Sequence, residues 1–233
     1  MAAVTPTLPG VDFSNLMERR WSCRAFRDEP LPDDLLTELL ATAQRTPSWC
    51  NSQPWQVHLL GGDALAWFRT ELAGRVAADP LGVASDLPLP GGYHGVYDER
   101  RRAAGYALYQ SLGIDRSDKA ARAAAMMENY DFFGAPNALI VTTDKAQGPY
   151  GAVDCGAYVT NLMNAALDRG VATIAQGAIG VYAGVVRDLL DLPEDRLVVC
   201  AVALGWPAEE HPVNGFRTDR ADLTDVVHVV AAP

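Results

Sequence analysis

Apolar residues first recur at helical spacing at Phe13, Leu16 and Met17, predicting a short helix over 13–20. A second amphipathic stretch, 33–45, gathers Leu35, Leu36, Leu39, Leu40 and Ala43 on one face. Pro32, Asp33 and Asp34 suit its positive N-terminal end, and Pro47 ends it. Residues 56–60 read as a strand closed by two glycines, and 63–78 as another amphipathic helix. Residues 79–96, rich in proline and glycine, form a long loop, which in a compact domain is usually functional or mobile. Helices are predicted at 97–112 and 115–131, the latter capped by Asp115 or Ser117.

The second half is more apolar. Residues 138–143 are β-branched and apolar enough for a strand buried on both faces. A helix rich in small residues spans 150–169, a short strand 171–174, and a helix 181–190. Residues 196–204 form the most hydrophobic strand, stopped by Gly205 and Pro207. The tail, 208–233, starts polar and ends in a β-like run at 226–230, while 1–11 read as a mobile arm. Strands alternating with helices predict a single domain, an α/β or α+β sandwich with helices on both faces.

Length and charge narrow the partners. The 233 residues suffice for one sizeable core and are few for two. A formal net charge of −10 disfavours nucleic acids and anionic membranes, since phosphate contacts need a basic face. The four cysteines, Cys23, Cys50, Cys155 and Cys200, lie in no CxxC pair and read as inert thiols. His58, His94, His211 and His228 form no metal-binding pattern, and neither a nucleophile elbow nor a dinucleotide glycine fingerprint is present. With no signal peptide and no apolar run long enough to span a bilayer, the expected compartment is the cytoplasm.

Two segments carry candidate chemistry. Arg19, Arg20, Ser22 and Arg24 lie within six residues of an acidic chain, and guanidinium forks with a hydroxyl suit a phosphate. An extended backbone would point Arg20, Ser22 and Arg24 to one side, and Trp21 and Cys23 to the other. The alternative is a solvated basic turn paired with Glu18 and Asp28. The second segment runs from Thr46 to Trp55 and brackets Ser48, Asn51 and Gln53 between two prolines. It can present polar groups to the heteroatoms of a planar ring, or be a turn whose Ser and Asn cap a following helix.

Together these segments resemble the N-terminal signature of the nitroreductase family of flavoproteins, roughly R-x-S-x-R-x-F followed by A-P-S-x-x-N-x-Q-P-W. Here they read Arg20-Trp-Ser22-Cys-Arg24-Ala-Phe26 and Thr46-Pro47-Ser48-Trp-Cys-Asn51-Ser-Gln53-Pro54-Trp55. The segments 129–136, 203–207 and 214–223 are similar to further family segments in the same order, so the likeness covers about residues 13–228. It implies an α+β sandwich with a central mixed, mainly antiparallel sheet flanked by helices, and a C-terminal extension reaching the partner of a homodimer.

The resemblance also implies tightly bound FMN. Arg20, Ser22 and Arg24 would meet its phosphate, ribityl chain and ring edge, with Trp21 making largely backbone contact. Pro47, Ser48, Asn51 and Gln53 would lie by the flavin in a site shared between subunits. Gln176 and Gly177 fall in the loop near the flavin N5, and Arg220, with Arg217 as the alternative, completes the phosphate site. Phe132, Phe133 and Tyr93 are candidates for the substrate pocket. The implied activity is ping-pong transfer of hydride from NAD(P)H through the flavin to a small nitroaromatic or quinone acceptor, with no indispensable catalytic side chain. A specialised flavin-dependent dehydrogenase, oxidase or reductive dehalogenase is the alternative, with the 79–96 loop narrowing its pocket. A non-enzymatic flavin-binding protein ranks last.

Overall fold

The computed structural model describes residues 12–232, so the 1–11 arm lies outside the described residues. In chain order the elements are α1 (Phe13–Arg19), α2 (Asp33–Ala43), β1 (Trp55–Gly61), α3 (Gly62–Ala78), α4 (Val96–Ser111) and α5 (Lys119–Met127). There follow β2 (Asn137–Asp144), α6 (Gly148–Asp168), β3 (Ala172–Gln176), α7 (Gly177–Val181), α8 (Ala183–Leu190), β4 (Arg196–Gly205) and α9 (Leu223–Val226).

The sheet has the order β1-β2-β4-β3. All three pairings are antiparallel, so the parallel part of the expected mixed sheet is absent among the described residues. Period-two alternation sends the central strands into two cores. On one face Ala138, Ile140, Ala201 and Ala203 pack with Phe68 and Leu72 of α3 and Val186 of α8. On the other, Leu139, Val141, Val202 and Leu204 pack with Leu36 and Leu39 of α2 and Leu162 of α6. That is why β2 reads as a continuous apolar run: Asn137 to Thr143 are all buried.

Four local expectations need correction. The 115–131 helix shortens to α5, because the Asp118 carboxylate accepts from Ala121 N–H at 2.9 Å and fixes the first turn there. Asp115, one of the two expected caps, instead accepts from the Ser117 N–H and hydroxyl. The 181–190 helix is split at Tyr182, with α7 before it. The 226–230 run is not a strand: α9 occupies its start, and Val229 and Val230 lie in the open, with no neighbouring backbone to pair with among the described residues.

What positions the site is the chain between α1 and α2. It runs beside the ends of β3 and β4: Cys23 N–H donates to Thr173 O at 3.0 Å, Arg27 N–H to Trp206 O at 2.9 Å, and Phe26 bridges to Pro207. Gly205 is required at that seam. A Cβ there would sit 2.6 Å from Pro136 Cδ and 3.2 Å from Phe26 Cδ1.

Candidate active site

The arginine segment enters the site through Asn214, a residue that sequence reasoning did not single out. Its side-chain oxygen accepts from Arg24 N–H at 3.0 Å, and its amide donates to Ala25 O at 2.8 Å and Ala208 O at 2.9 Å. One buried amide thereby ties residues 24–25 to the segment after β4. It also fixes where Phe216, Arg217 and Arg220 arrive.

Those segments enclose a recess of about 270 Å³, lined by Arg20, Trp21, Ser22, Arg24, Arg217 and Arg220, with Glu18 and Thr218 at its wall. None of the four arginines makes an ion pair among the described residues. The alternative of a turn paired with Glu18 and Asp28 is therefore not the observed arrangement. Backbone carbonyls hold the guanidiniums instead: Arg24 donates to Ser22 O at 3.2 Å, Arg217 to Asn214 O at 2.6 Å, and Arg220 to Asp219 O at 2.9 Å. Burial, then the charge of Arg220, lowers the Arg20 pKa, and burial lowers that of Arg24. The recess gathers four arginines against one carboxylate, that of Glu18, which pairs with none of them among the described residues, and an anion there would relieve the mutual repulsion.

The expected alternation holds for Cys23, fully buried behind the segment, and fails for Trp21, which faces the recess beside Arg20 and Ser22. At Arg20, the residue that ends α1, the backbone is extended, with φ −63° and ψ 129°. The Trp21 Nε1–H is buried without a partner, and Arg217 lies over the indole.

Arg24 also lines a second cavity, of about 670 Å³, and so joins the two. This larger space is mainly apolar. Ile174, Ala175, Gln176 and Gly177 form its floor where β3 passes into α7, and Phe133 and residues of α4 and α5, among them Leu108, Tyr109 and Ala125, form other walls. Gln176 is anchored there by a 2.7 Å bond from its amide to Asn129 O, while its carbonyl oxygen is buried without a partner. Phe133 reaches the wall because Phe132, Phe133 and Gly134 all take positive φ. His211 also lines this cavity and was not foreseen. Its Nδ1 accepts from Val213 N–H at 3.3 Å.

Two expected pocket residues lie elsewhere. Phe132 is fully buried in the core against Phe68, centroids 6.0 Å apart, because the positive-φ turn that points Phe133 outward turns Phe132 inward. Tyr93 is half exposed beneath the guanidinium of Arg101 and lines neither cavity. No residue of the 79–96 loop lines either of these cavities of its own chain. Asp86 pairs with Arg187 at 2.6 Å and accepts from Val198 N–H at 2.7 Å, and Tyr182 donates to Pro80 O, so these contacts hold the first half of the loop against α8 and β4.

Pro47, Ser48, Asn51 and Gln53 line neither cavity of their own chain. Ser48 Oγ accepts from Gln53 N–H at 2.9 Å, so the hydroxyl serves a local turn. Cys50, Asn51 and Gln53 all have positive φ, a strain of about 1–3 kcal/mol each that surrounding structure must sustain. The loop is fixed from below, where Trp49 N–H donates to the Asp154 carboxylate at 3.1 Å. It leaves Asn51 exposed, with Trp49 packed on the equally exposed Tyr150.

A guanidinium-lined recess thus opens through one shared arginine into a larger, mainly apolar cavity. The fold that carries it is that of a known family. A family model described as the nitroreductase family matches residues 17–206, and the chain belongs to that family. It is 34% identical over 220 residues to a 4-nitrobenzoate reductase of Pseudomonas putida, covering 93% of this chain and 95% of the relative. It is also similar to the crystal structure of an FMN- and NADPH-dependent nitroreductase, NfnB, from sphigopyxis sp. strain HMH. That match has a TM-score of 0.91 and 34% identity, and covers 95% of this chain and 100% of the other. The FMN-dependent nitroreductase NfnB of Mycobacterium smegmatis, solved in complex with NADPH, superposes with a TM-score of 0.87 at 30% identity, covering 94% and 100%.

Proposed function

We propose that the chain is an FMN-dependent NAD(P)H nitroreductase, a one-domain protomer of a cytoplasmic homodimer. The observation that carries the reading is Arg24, which lines both the guanidinium-rich recess and the large apolar cavity. FMN has the matching asymmetry, a dianionic phosphate at one end and a flat ring system at the other.

The donor set fits the group. Arg20, Arg217 and Arg220 lack carboxylate partners among the described residues and can grip a phosphate, with the Ser22 hydroxyl beside them. Arg24, at the junction, can meet the ring edge. Gln176 and Gly177, on the floor of the larger cavity, present amide groups to the ring. When bound, the flavin supplies the hydride chemistry, taking two electrons from a nicotinamide and passing them to a nitro group or quinone. The protein orients ligands, excludes water and keeps one cavity that donor and acceptor enter in turn. No carboxylate–histidine or thiol–base pair is needed.

The homodimer is favoured by the Pro47–Gln53 loop. It is strained, ordered from below and aimed away from its own chain's cavities, with exposed apolar residues Trp49, Tyr150 and Val153 beside it. A second subunit would cover that surface and carry Asn51 and Gln53 to its partner's flavin. The free cysteines suit a reducing compartment, and no helix among the described residues is long and apolar enough to cross a membrane. The test is FMN loading of the purified protein followed by steady-state oxidation of NADPH and NADH with 4-nitrobenzoate and menadione. Turnover that needs both FMN and an acceptor supports the reading. Flavin-loaded protein that neither nicotinamide can reduce contradicts it.

A further inference from the structure

Beside the large cavity, and sharing Tyr109 and Ile114 with it, lies a smaller one of about 390 Å³ built where α4 ends and α5 begins. Its distinctive residues are Arg116 and Arg122. The Arg116 guanidinium lies 4.7 Å from the Tyr106 ring centroid, and that of Arg122 lies 5.0 Å from the Tyr109 centroid. Neither arginine makes an ion pair among the described residues. Arg122 donates through Nη1 to Arg116 O at 3.1 Å, while its Nε–H is buried with no partner. One carboxylate, Asp115, lines the cavity, but hydrogen bonds from the Ser117 hydroxyl and N–H hold its Oδ1. Two guanidiniums with spare donors, packed on aromatic faces, thus border the rim of the cavity assigned above to the flavin ring.

We propose that this annex is the specificity pocket for the adenosine 2′-phosphate of the electron donor, so that Arg116 and Arg122 make the protein prefer NADPH to NADH. The inference rests on the flavin reading above, since a nicotinamide stacked on the ring must extend its nucleotide end out over a rim. Planar guanidinium forks bind a phosphate dianion through two oxygens, and a buried unmade donor such as Arg122 Nε gains most from an acceptor. Tyr106 and Tyr109 orient both guanidiniums. The competing chemistry is a carboxylate on an aromatic acceptor, and the same variants separate the two.

The experiment uses FMN-loaded protein and the variants Arg122→Gln and Arg116→Gln, the second at an exposed position where folding is not at risk. Two readouts are taken: the ratio of KM for NADPH to KM for NADH, and calorimetric binding of 2′,5′-ADP against 5′-AMP, which needs no turnover. Each variant should raise the KM ratio roughly tenfold and weaken 2′,5′-ADP by a similar factor, leaving 5′-AMP as it was. An unmoved ratio, or equal loss of both nucleotides, overturns the proposal. So does a rise in KM confined to 4-nitrobenzoate and absent for nitrobenzene, which would assign the arginines to the acceptor. If wild-type flavin is reduced by neither nicotinamide, the flavin reading itself fails, a result distinguishable from loss of phosphate discrimination alone.

Discussion

The guanidinium of Arg217 lies over the indole of Trp21, 4.7 Å from the ring centroid, at the wall of the anion recess. The contact joins the two halves of the recess, which are 196 positions apart in the sequence. It explains why a bulky aromatic is accommodated between Arg20 and Ser22: the indole supports an arginine delivered from the far end of the chain. Trp21→Ala should weaken FMN binding by about threefold to tenfold, as loss of one cation–π support allows. Flavin fluorescence titration measures it, and unchanged affinity would remove Trp21 from the site.

Arg20 is more exacting. It is partly desolvated beside Arg220 with no carboxylate partner among the described residues, an arrangement that favours an anion. Replacing Arg20 by Ala should lower FMN affinity about 10- to 100-fold while kcat of the flavin-saturated enzyme stays within about twofold. A large fall in kcat at saturating FMN would mean that Arg20 takes part in the chemistry.

Asn214 pins the arginine segment through both ends of one buried amide. Asn214→Ala strands the Arg24 N–H and two carbonyls, and should cost about 3 kcal/mol. In a chain of this length that is roughly 6–12 °C in Tm. FMN affinity should fall with it, because the Arg24 backbone loses the side chain that anchors it.

Two glycines should respond in opposite directions. Gly205→Ala forces a Cβ against the rigid Pro136 ring at 2.6 Å and should destabilise by about 1–3 kcal/mol. Gly74, an exposed position inside α3 where a Cβ meets nothing within 4 Å, should gain about 0.5–1 kcal/mol as Ala. Urea unfolding of both variants checks the pair.

The pH dependence of stability is set on the alkaline side by buried weak acids. Burial pushes the Cys23 and Cys155 thiols from 9.0 up to about 11 and the Tyr130 phenol from 10.0 up to about 12. In that range the fold keeps protons that the unfolded chain has released. Stability is therefore full below about pH 9 and falls as pH rises from there towards 12. Thermal melts between pH 8 and 11 should show Tm declining, and Cys23→Ser with Cys155→Ser should flatten the slope.

Much of this molecule was legible in its residues. The two-sided burial of β2 followed from its β-branched composition, and α2 and α3 from the periodicity of their apolar residues. Arg20, Ser22, Arg24, Arg217 and Arg220 do converge on one recess, and both C-terminal arginines line it. What local pattern could not supply was tertiary. Trp21 faces the recess, where Arg217 from the far end of the chain lies over its indole. Phe132 is core and Phe133 cavity wall because adjoining positive-φ residues turn the pair in opposite senses. Asn214 and His211 carry no sequence signal of their own, since their partners lie in other segments or in backbone groups. The 226–230 run has strand composition, but pairing needs a neighbour that the chain does not offer it among the described residues.

A flavin seated across the Arg24 junction is tested most directly by anaerobic titration of FMN-loaded protein with NADPH. The visible flavin band should bleach on addition of the donor and return on addition of 4-nitrobenzoate. A band that persists under excess NADPH and excess NADH, or protein that retains no FMN after gel filtration, would contradict it.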